Sequence, residues 1–335
     1  MTLLALRALG LGDLLVAVPA LRGLSAAFPG HRRLLALPGW LHPLAELIGG
    51  WDELVAVAGL DEPLPAGLPD IDVAVNLHGR GPSSSALLDQ AHPRRRIGHP
   101  QPGWPGPAWV PPLPERQRWC RLLAWHGVAA DAADIALARP SAPAPEVGAV
   151  LVHPGAAYGA KRWPLPRFAD VVAAHREHGH RVLITGDAQD RDLADQLAAL
   201  AGIPASDVLA GRTGLPELAA LVAAARLVIS GDTGIAHLAF AYRTPSVTLF
   251  GPADPRQWGP PAGGPHLLLG GRQRRGDPFA TDPDPALLAV TVPQVLRASG
   301  VLGVLPSTPD WRRTRLEMAS DGAPAECAVP ARIPK

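Results

Sequence analysis

Cysteine is scarce in this chain: Cys120 and Cys327 are the two in 335 residues. Their separation matches no zinc or redox spacing, which removes those metal and oxidoreductase classes, and a reducing compartment fits. An excess of one charge is missing as well. Lys plus Arg number 31 against 30 Asp plus Glu, a formal net charge of +1, so no global field favours nucleic acid or an anionic membrane. No apolar run reaches the roughly 18 residues of a membrane span. The N-terminal stretch "MTLLALRALGLGDLLVAVPALRGL" is broken by Arg7, Asp13, Pro19 and Arg22 and reads as the first strand and helix of a cytoplasmic protein, not as a signal peptide. G-x-x-x-x-G-K-[ST] and G-x-S-x-G do not occur, so neither a P-loop nor a nucleophile elbow is present.

What is there is a repeated alternation of short apolar runs and helical patterns. The runs Leu3–Leu6, Arg33–Leu37, Glu53–Val57 and Asp72–Asn76 read as strands, with helices at Leu14–Ala27 and Arg116–His126. Residues 100–114, dense in Pro, Gly and Trp, read as a long surface loop. The proline-rich stretch 138–148 then interrupts the pattern and reads as a linker. After it come strands at Val150–His153, Arg181–Thr185, Leu227–Ser230 and Ser246–Phe250. Helices are expected at Pro166–Glu177, Arg191–Ala201, Pro216–Ala225 and Ile235–Tyr242. Strand–helix alternation indicates parallel sheets covered on both faces. The expected organisation is an N-terminal α/β domain over 1–140, a linker at 141–147, a second α/β domain over 148–303 and a Pro-rich, disordered tail at 304–335.

Three stretches carry chemistry. In "LGLGDLL", Gly10 and Gly12 allow a tight strand-to-helix turn and Asp13 stands where an N-cap would. It either caps the helix or acts as a general base at the carboxyl edge of a parallel sheet, where open α/β folds place ligands. In "VHPGAAYGAKRW", a glycine loop carries Lys161 and Arg162; the loop is either plain solvated surface or a diphosphate contact. In "LVISGDTGIAHLAF", a strand delivers Asp232, Thr233 and Gly234 to a helix start with His237 one turn on. That is either a capped core helix or an anion site made by free backbone N–H groups. Asp232 repels phosphate and therefore suits sugar hydroxyls or the bracing of the loop.

Metal patterns are short. Asp70/Asp72, Asp190/Asp192 and Asp282/Asp284 fit D-x-D, a spacing that recurs by chance. His175, His178 and His180 share no helical face that would gather a zinc ion. Arg94, Arg95 and Arg96 form a basic run that is either solvated or a contact for an anionic acceptor.

Together these stretches resemble glycosyltransferase family 9, the ADP-heptose–lipopolysaccharide heptosyltransferases. The resemblance rests on Gly12-Asp13 followed by Pro19-Ala20-Leu21-Arg22, on "HPG…KxWPxxxF" from His153 to Phe168, and on "GDTGxxHLA…PxVxLFGP" from Gly231 to Pro252. It covers roughly residues 1 to 300. It implies a GT-B fold, two Rossmann-like domains facing across a cleft. It also implies inverting, metal-independent transfer from a nucleotide-diphosphate sugar to a glycolipid, glycan or natural-product acceptor, without a bound cofactor. Asp13 is then the base, and Lys161, Asp232, Thr233, Gly234, His237 and Gly12 bind the donor. Asp190 or Asp187 contacts the nucleoside, and Arg94–Arg96 are candidate acceptor contacts. The same resemblance makes the protein cytoplasmic, with a peripheral contact to the membrane face and no nucleic-acid partner. A GT-B epimerase or hydrolase and a non-catalytic sugar-nucleotide-binding protein are the alternatives.

Overall fold

The structure, a computed structural model, describes residues 1–111, 113–270 and 276–306. Most of the expected tail, from residue 307 on and including Cys327, lies outside the described residues. The first half runs β1 (Thr2–Leu6), α1 (Leu11–Ala27), β2 (Arg32–Leu37), α2 (His42–Ile48), β3 (Glu53–Ala56), β4 (Val73–Asn76), α3 (Ser83–Asp89), β5 (Arg95–Ile97) and α4 (Glu115–Trp125). The second runs β6 (Val150–His153), α5 (Leu165–Glu177), β7 (Val182–Ile184), α6 (Arg191–Ala201), α7 (Leu215–Ala224), β8 (Leu227–Gly231), α8 (Gly234–Tyr242), β9 (Ser246–Phe250), α9 (Pro255–Trp258), β10 (His266–Gly270), α10 (Pro285–Leu288) and α11 (Val292–Val301).

These elements form two five-stranded sheets, ordered β3-β2-β1-β4-β5 and β10-β9-β8-β6-β7. Every strand pairing is parallel. A strand buried on both faces needs no polar alternation, which is why "LLAL" in β1 and "LVI" in β8 are continuous apolar runs. Along β1 the two faces separate cleanly. Leu3 and Ala5 join the core under α1, α2 and α4, while Leu4 and Leu6 pack with Leu87, Leu88 and Trp104 on the other side.

In each sheet the chain first grows outward and then returns to the other side of the starting strand. The reversal falls between β1 and β4 in the first sheet and between β6 and β8 in the second. At such a point the loops leaving the two strands diverge and open a crevice beyond their carboxyl ends. The loops 7–11, 77–82, 154–161 and 231–234 are therefore the ones placed to hold ligands.

The two sheets share a core. Leu14, Leu15 and Val18 of α1 belong to one buried apolar cluster with Ile235 and Leu238 of α8, Leu221 and Val222 of α7, and Leu151 and Val228 of the second sheet. Two connections tie the stretch read as a linker's flank to both halves: Ala138 N donates to Leu47 O at 3.4 Å, and Tyr242 Oη donates to Ala138 O at 3.2 Å.

The stretch 100–114 departs from the expected surface loop. Trp104 is 2% exposed, and the Arg118 guanidinium lies 3.9 Å from the centre of the Trp109 ring. Trp109 and His99 stack edge-on at 4.9 Å. Prolines supply few backbone donors, so the loop is held by aromatic packing and by Arg118, which donates to the carbonyls of Val110, Pro111 and Leu113.

The three clustered histidines prove structural. His175 is fully buried on α5 with Nε2 3.2 Å from Ser299 Oγ of α11, while His178 and His180 meet the carbonyls of Ala174 and Val304. Burial first, then the charges of His180 and His178, push the His175 pKa down from 6.5 to about 3. Below pH 6.5 the unfolded chain takes up a proton here that the folded chain refuses. The stability this site contributes is complete above pH 6.5 and is lost as pH falls toward 3. Between pH 6.5 and 4.5 the loss from this site is about 2 kcal/mol. Urea unfolding at pH 7.0 and 4.5 should therefore show a smaller acid loss for His175→Gln than for wild type; equal losses would place the acid sensitivity elsewhere.

Candidate functional site

Asp13 occupies the third position of α1, not its N-cap. Gly10 is the N-cap residue, with extended φ −76° and ψ 179°. The carboxylate thus stands inside the first turn, where the helix dipole favours its charge, and its side chain is 33% exposed. Arg7, the residue after β1, holds it from behind. Arg7 Nε donates to Asp13 O at 2.9 Å, Nη2 lies 3.5 Å from Asp13 Oδ1, and Nη1 donates to Leu77 O after β4. This arginine is 1% exposed, and its guanidinium lies 4.8 Å from the Trp119 ring centre. Burial draws its pKa down, while Asp13 and Glu115 oppose that effect.

Arg7 escaped the sequence reading because it looked like a mere interruption of an apolar run. His78, in the loop after β4, escaped it as well. Burial first, then the Arg7 charge, hold its pKa down to about 4, so the ring is neutral near pH 7. A signal for both existed in the position just past a strand, but it is informative only once β1 and β4 are known to flank the reversal.

On the second domain, Lys161 Nζ donates to Asp232 Oδ2 at 2.9 Å. Lys161 keeps 26% of its side chain exposed, whereas Asp232 keeps 6%. The buried carboxylate is thereby compensated, and the repulsion it would exert on a phosphate is offset by a cation that faces solvent. Thr233 is the N-cap residue of α8, but its hydroxyl makes no capping bond. Oγ1 is buried without a hydrogen-bond partner among the described residues. A buried hydroxyl in that state costs about 1–3 kcal/mol, which an acceptor oxygen would recover. The first turn of α8 also leaves backbone N–H groups without intrahelical acceptors.

Gly234 and Gly12 stand where the two domains approach closely. A Cβ on Gly234 would stand 2.6 Å from Leu11 Cδ2, and one on Gly12 would stand 3.0 Å from His237 Cδ2. Both glycines permit the N-termini of α1 and α8 to touch across the domain boundary. His237 fills that seam, 7% exposed, with Phe240 and Trp258 at ring distances of 5.4 and 6.3 Å. Burial lowers its pKa, opposed by Asp232 and Asp13 and reinforced by Lys161 and Arg116. One ring thus feels the Asp13 carboxylate of the first domain and the ion pair of the second. Arg116 of α4 clamps the seam further out by donating to Gly259 O at 2.6 Å and Pro260 O at 3.3 Å. Only about 20 Å³ remains open between Leu15, Arg116, His237 and Phe240.

The two acidic candidates after β7 separate. Asp187 is exposed and braces its own turn, accepting from Gln189 N at 2.7 Å and Asp190 N at 3.0 Å. Asp190 is 9% exposed, lies against Gly155 of the loop after β6, and approaches His153 Nε2 at 3.9 Å. Asp190 is the one that faces the second reversal point. His153 is held below its ordinary pKa by burial, against the pull of Asp190 and Asp187.

Arg94, Arg95 and Arg96 are not brought to the site. Arg95 pairs with Val73, the first residue of β4, so the run lies at the amino-terminal edge of the sheet, opposite Asp13. Arg94 lies 3.7 Å from Asp72, Arg95 donates to His126 O, and Arg96 donates to Asp89 at 2.7 Å. The D-x-D pairs also have local work. Asp72 accepts from Thr2 N, and Asp284 caps α10 through Ala286 N. Among the described residues no three His, Cys, Asp or Glu side chains converge. No described helix is long and apolar enough to cross a membrane.

Two Rossmann-like domains that meet reversal point to reversal point, with an acidic group on one and a Lys–Asp–Thr cluster on the other, define the GT-B class. The family model described as glycosyltransferase family 9 (heptosyltransferase) matches residues 124–269. Lipopolysaccharide heptosyltransferase 2 of Escherichia coli K12 is 33% identical over 106 residues, an aligned segment that is 30% of this chain and 30% of that relative. Among solved structures, a family 9 glycosyl transferase from Veillonella parvula superposes with a TM-score of 0.73 at 20% identity, covering 90% of this chain and 96% of the other. The E. coli ADP-heptose lps heptosyltransferase II gives 0.67 at 20% identity, over 90% and 98%. The family 9 model spans less than half of this chain, the chain covers about a third of the length of the curated relatives it matches, and the solved structures share its fold. The matched segment holds Lys161, Asp190, Asp232, Thr233 and His237, whereas Asp13 lies outside it.

Proposed function

We propose that the protein is an inverting glycosyltransferase that moves a heptose from ADP-heptose to a hydroxyl of a glycolipid or glycan, without a metal ion, at the cytoplasmic face of a membrane. The observation that carries this reading is the placement of Asp13 on one side of the α1–α8 contact and the Lys161–Asp232–Thr233 cluster on the other. ADP-heptose as donor is supported by the name of the heptosyltransferase whose fold this chain shares.

In the reaction, the acceptor hydroxyl gives its proton to an Asp13 carboxylate oxygen as its own oxygen bonds to the anomeric carbon. The bond from that carbon to the diphosphate oxygen breaks on the opposite face, so the configuration inverts. ADP leaves with the bonding electron pair. Lys161, the Thr233 hydroxyl and the N-terminus of α8 are placed to receive the charge that grows on it. Arg7 orients Asp13, and Asp190 stands where a ribose hydroxyl would find an acceptor.

Titration of the full chain with ADP-, UDP-, GDP- and TDP-sugars tests the donor. ADP-heptose is expected to bind at least about tenfold more tightly than the others, a difference of about 1.4 kcal/mol, and EDTA should leave both binding and transfer unchanged. A preference for another base would overturn the donor assignment, and loss of transfer in EDTA would overturn metal independence.

A further inference from the structure

A groove of about 760 Å³ opens beyond the carboxyl ends of β1, β2 and β3. That is room for a disaccharide-sized ligand. Its walls include Leu9, Pro38, Trp40 and Val57, and among the described residues its one charged side chain is Glu62. Trp40 is 57% exposed, an unusual state for so large an apolar ring. The groove leads to the proposed base. Gly10 lines it, and the place where a Gly10 Cβ would stand is 3.7 Å from Asp13 Oδ2.

We propose that this groove is the acceptor site, and that the acceptor it takes is an uncharged saccharide with no phosphate or carboxylate on the sugars next to the reacting hydroxyl. This rests on the transferase reading above. A pyranose presents one face of C–H groups and a rim of hydroxyls. The indole of Trp40 offers a flat apolar body for that face, and the Glu62 carboxylate accepts hydrogen bonds from the rim. The same carboxylate repels an anionic sugar, and among the described residues no cation lines the groove to offset it. The arginines that would have served an anionic acceptor, Arg94 to Arg96, lie at the far edge of the sheet.

The experiment measures binding of a panel of neutral disaccharides and their uronic-acid and 6-phosphate counterparts to the full chain, with ADP present, by saturation-transfer NMR and tryptophan fluorescence. At least one neutral member should bind at least about tenfold more tightly than its charged counterparts. Trp40→Ala should weaken that binding by at least about tenfold while ADP affinity stays within about twofold, which also shows that the variant is folded. Glu62→Gln should narrow the preference for neutral over uronate. Equal or tighter binding of the charged members overturns the proposal, as does a panel in which no neutral sugar binds, or neutral binding that Trp40→Ala leaves unchanged. Failure of the wild-type chain to bind ADP would strike the donor reading instead. The neutral-over-charged preference measured without ADP then judges the groove by itself.

Discussion

Asp13→Asn is expected to lower kcat by about 10³-fold, within the span that a positioned general base contributes, and to leave ADP affinity within about twofold. The amide keeps the volume of the carboxylate but cannot take a proton. The substitution also keeps the backbone carbonyl that accepts from Arg7 Nε at 2.9 Å, so the helix start stays in place. Single-turnover transfer and calorimetric ADP binding on the same preparation separate the two effects. A variant with wild-type kcat would remove Asp13 from catalysis. Arg7 enters the same experiment as a positioning residue. It touches Asp13 and the β4 end together, so Arg7→Lys should lower kcat with little change in donor affinity, and the pH profile of kcat should shift with it.

The second large effect is expected at Lys161. Lys161→Ala removes the cation that faces the proposed diphosphate and leaves Asp232, 6% exposed, as a buried carboxylate without its partner. Two losses follow. ADP binding should weaken by at least about tenfold, since a charged hydrogen bond is worth about 1.5–3 kcal/mol. The fold should also lose stability, because a buried charge stripped of its partner is costly, about 3–5 kcal/mol where both groups are well buried and less here, where Lys161 is partly screened by solvent. The double variant Lys161→Ala/Asp232→Asn distinguishes them. It should regain much of the stability in urea unfolding but none of the ADP affinity. Recovery of both would make the pair a structural brace and nothing more.

How far the sequence reached can be judged strand by strand. Runs such as "LLAL", "VLV" and "LVI" are legible because a strand buried on both faces is apolar along most of its length. β5, with the sequence "RRI", and β10, a partly exposed edge strand, gave no such signal. An edge strand is covered less and is held as much by its neighbour's backbone as by its own side chains. The motif residues were legible for a related reason. A glycine, an acid and a hydroxyl placed between a strand end and a helix start are a local pattern, readable without knowing what lies opposite.

The sequence by itself determined the two α/β halves, the loops that end their strands, and the residue types those loops present: Asp13, Lys161, Asp232, Thr233. Those features are local, set by turn geometry and by apolar periods of a few residues. Only the tertiary structure decided what each one faces. Strand order put Asp13 at a reversal point and sent Arg94 to Arg96 to the opposite edge, because a parallel register fixes which end of a strand a residue occupies. Helix contact turned Gly12 and Gly234 into the seam that lets α1 and α8 meet, with His237 between them. The buried guanidinium of Arg7 found its partners 6 and 70 positions away. Such pairings follow from the packing of the whole chain, and a single strand carries no record of them.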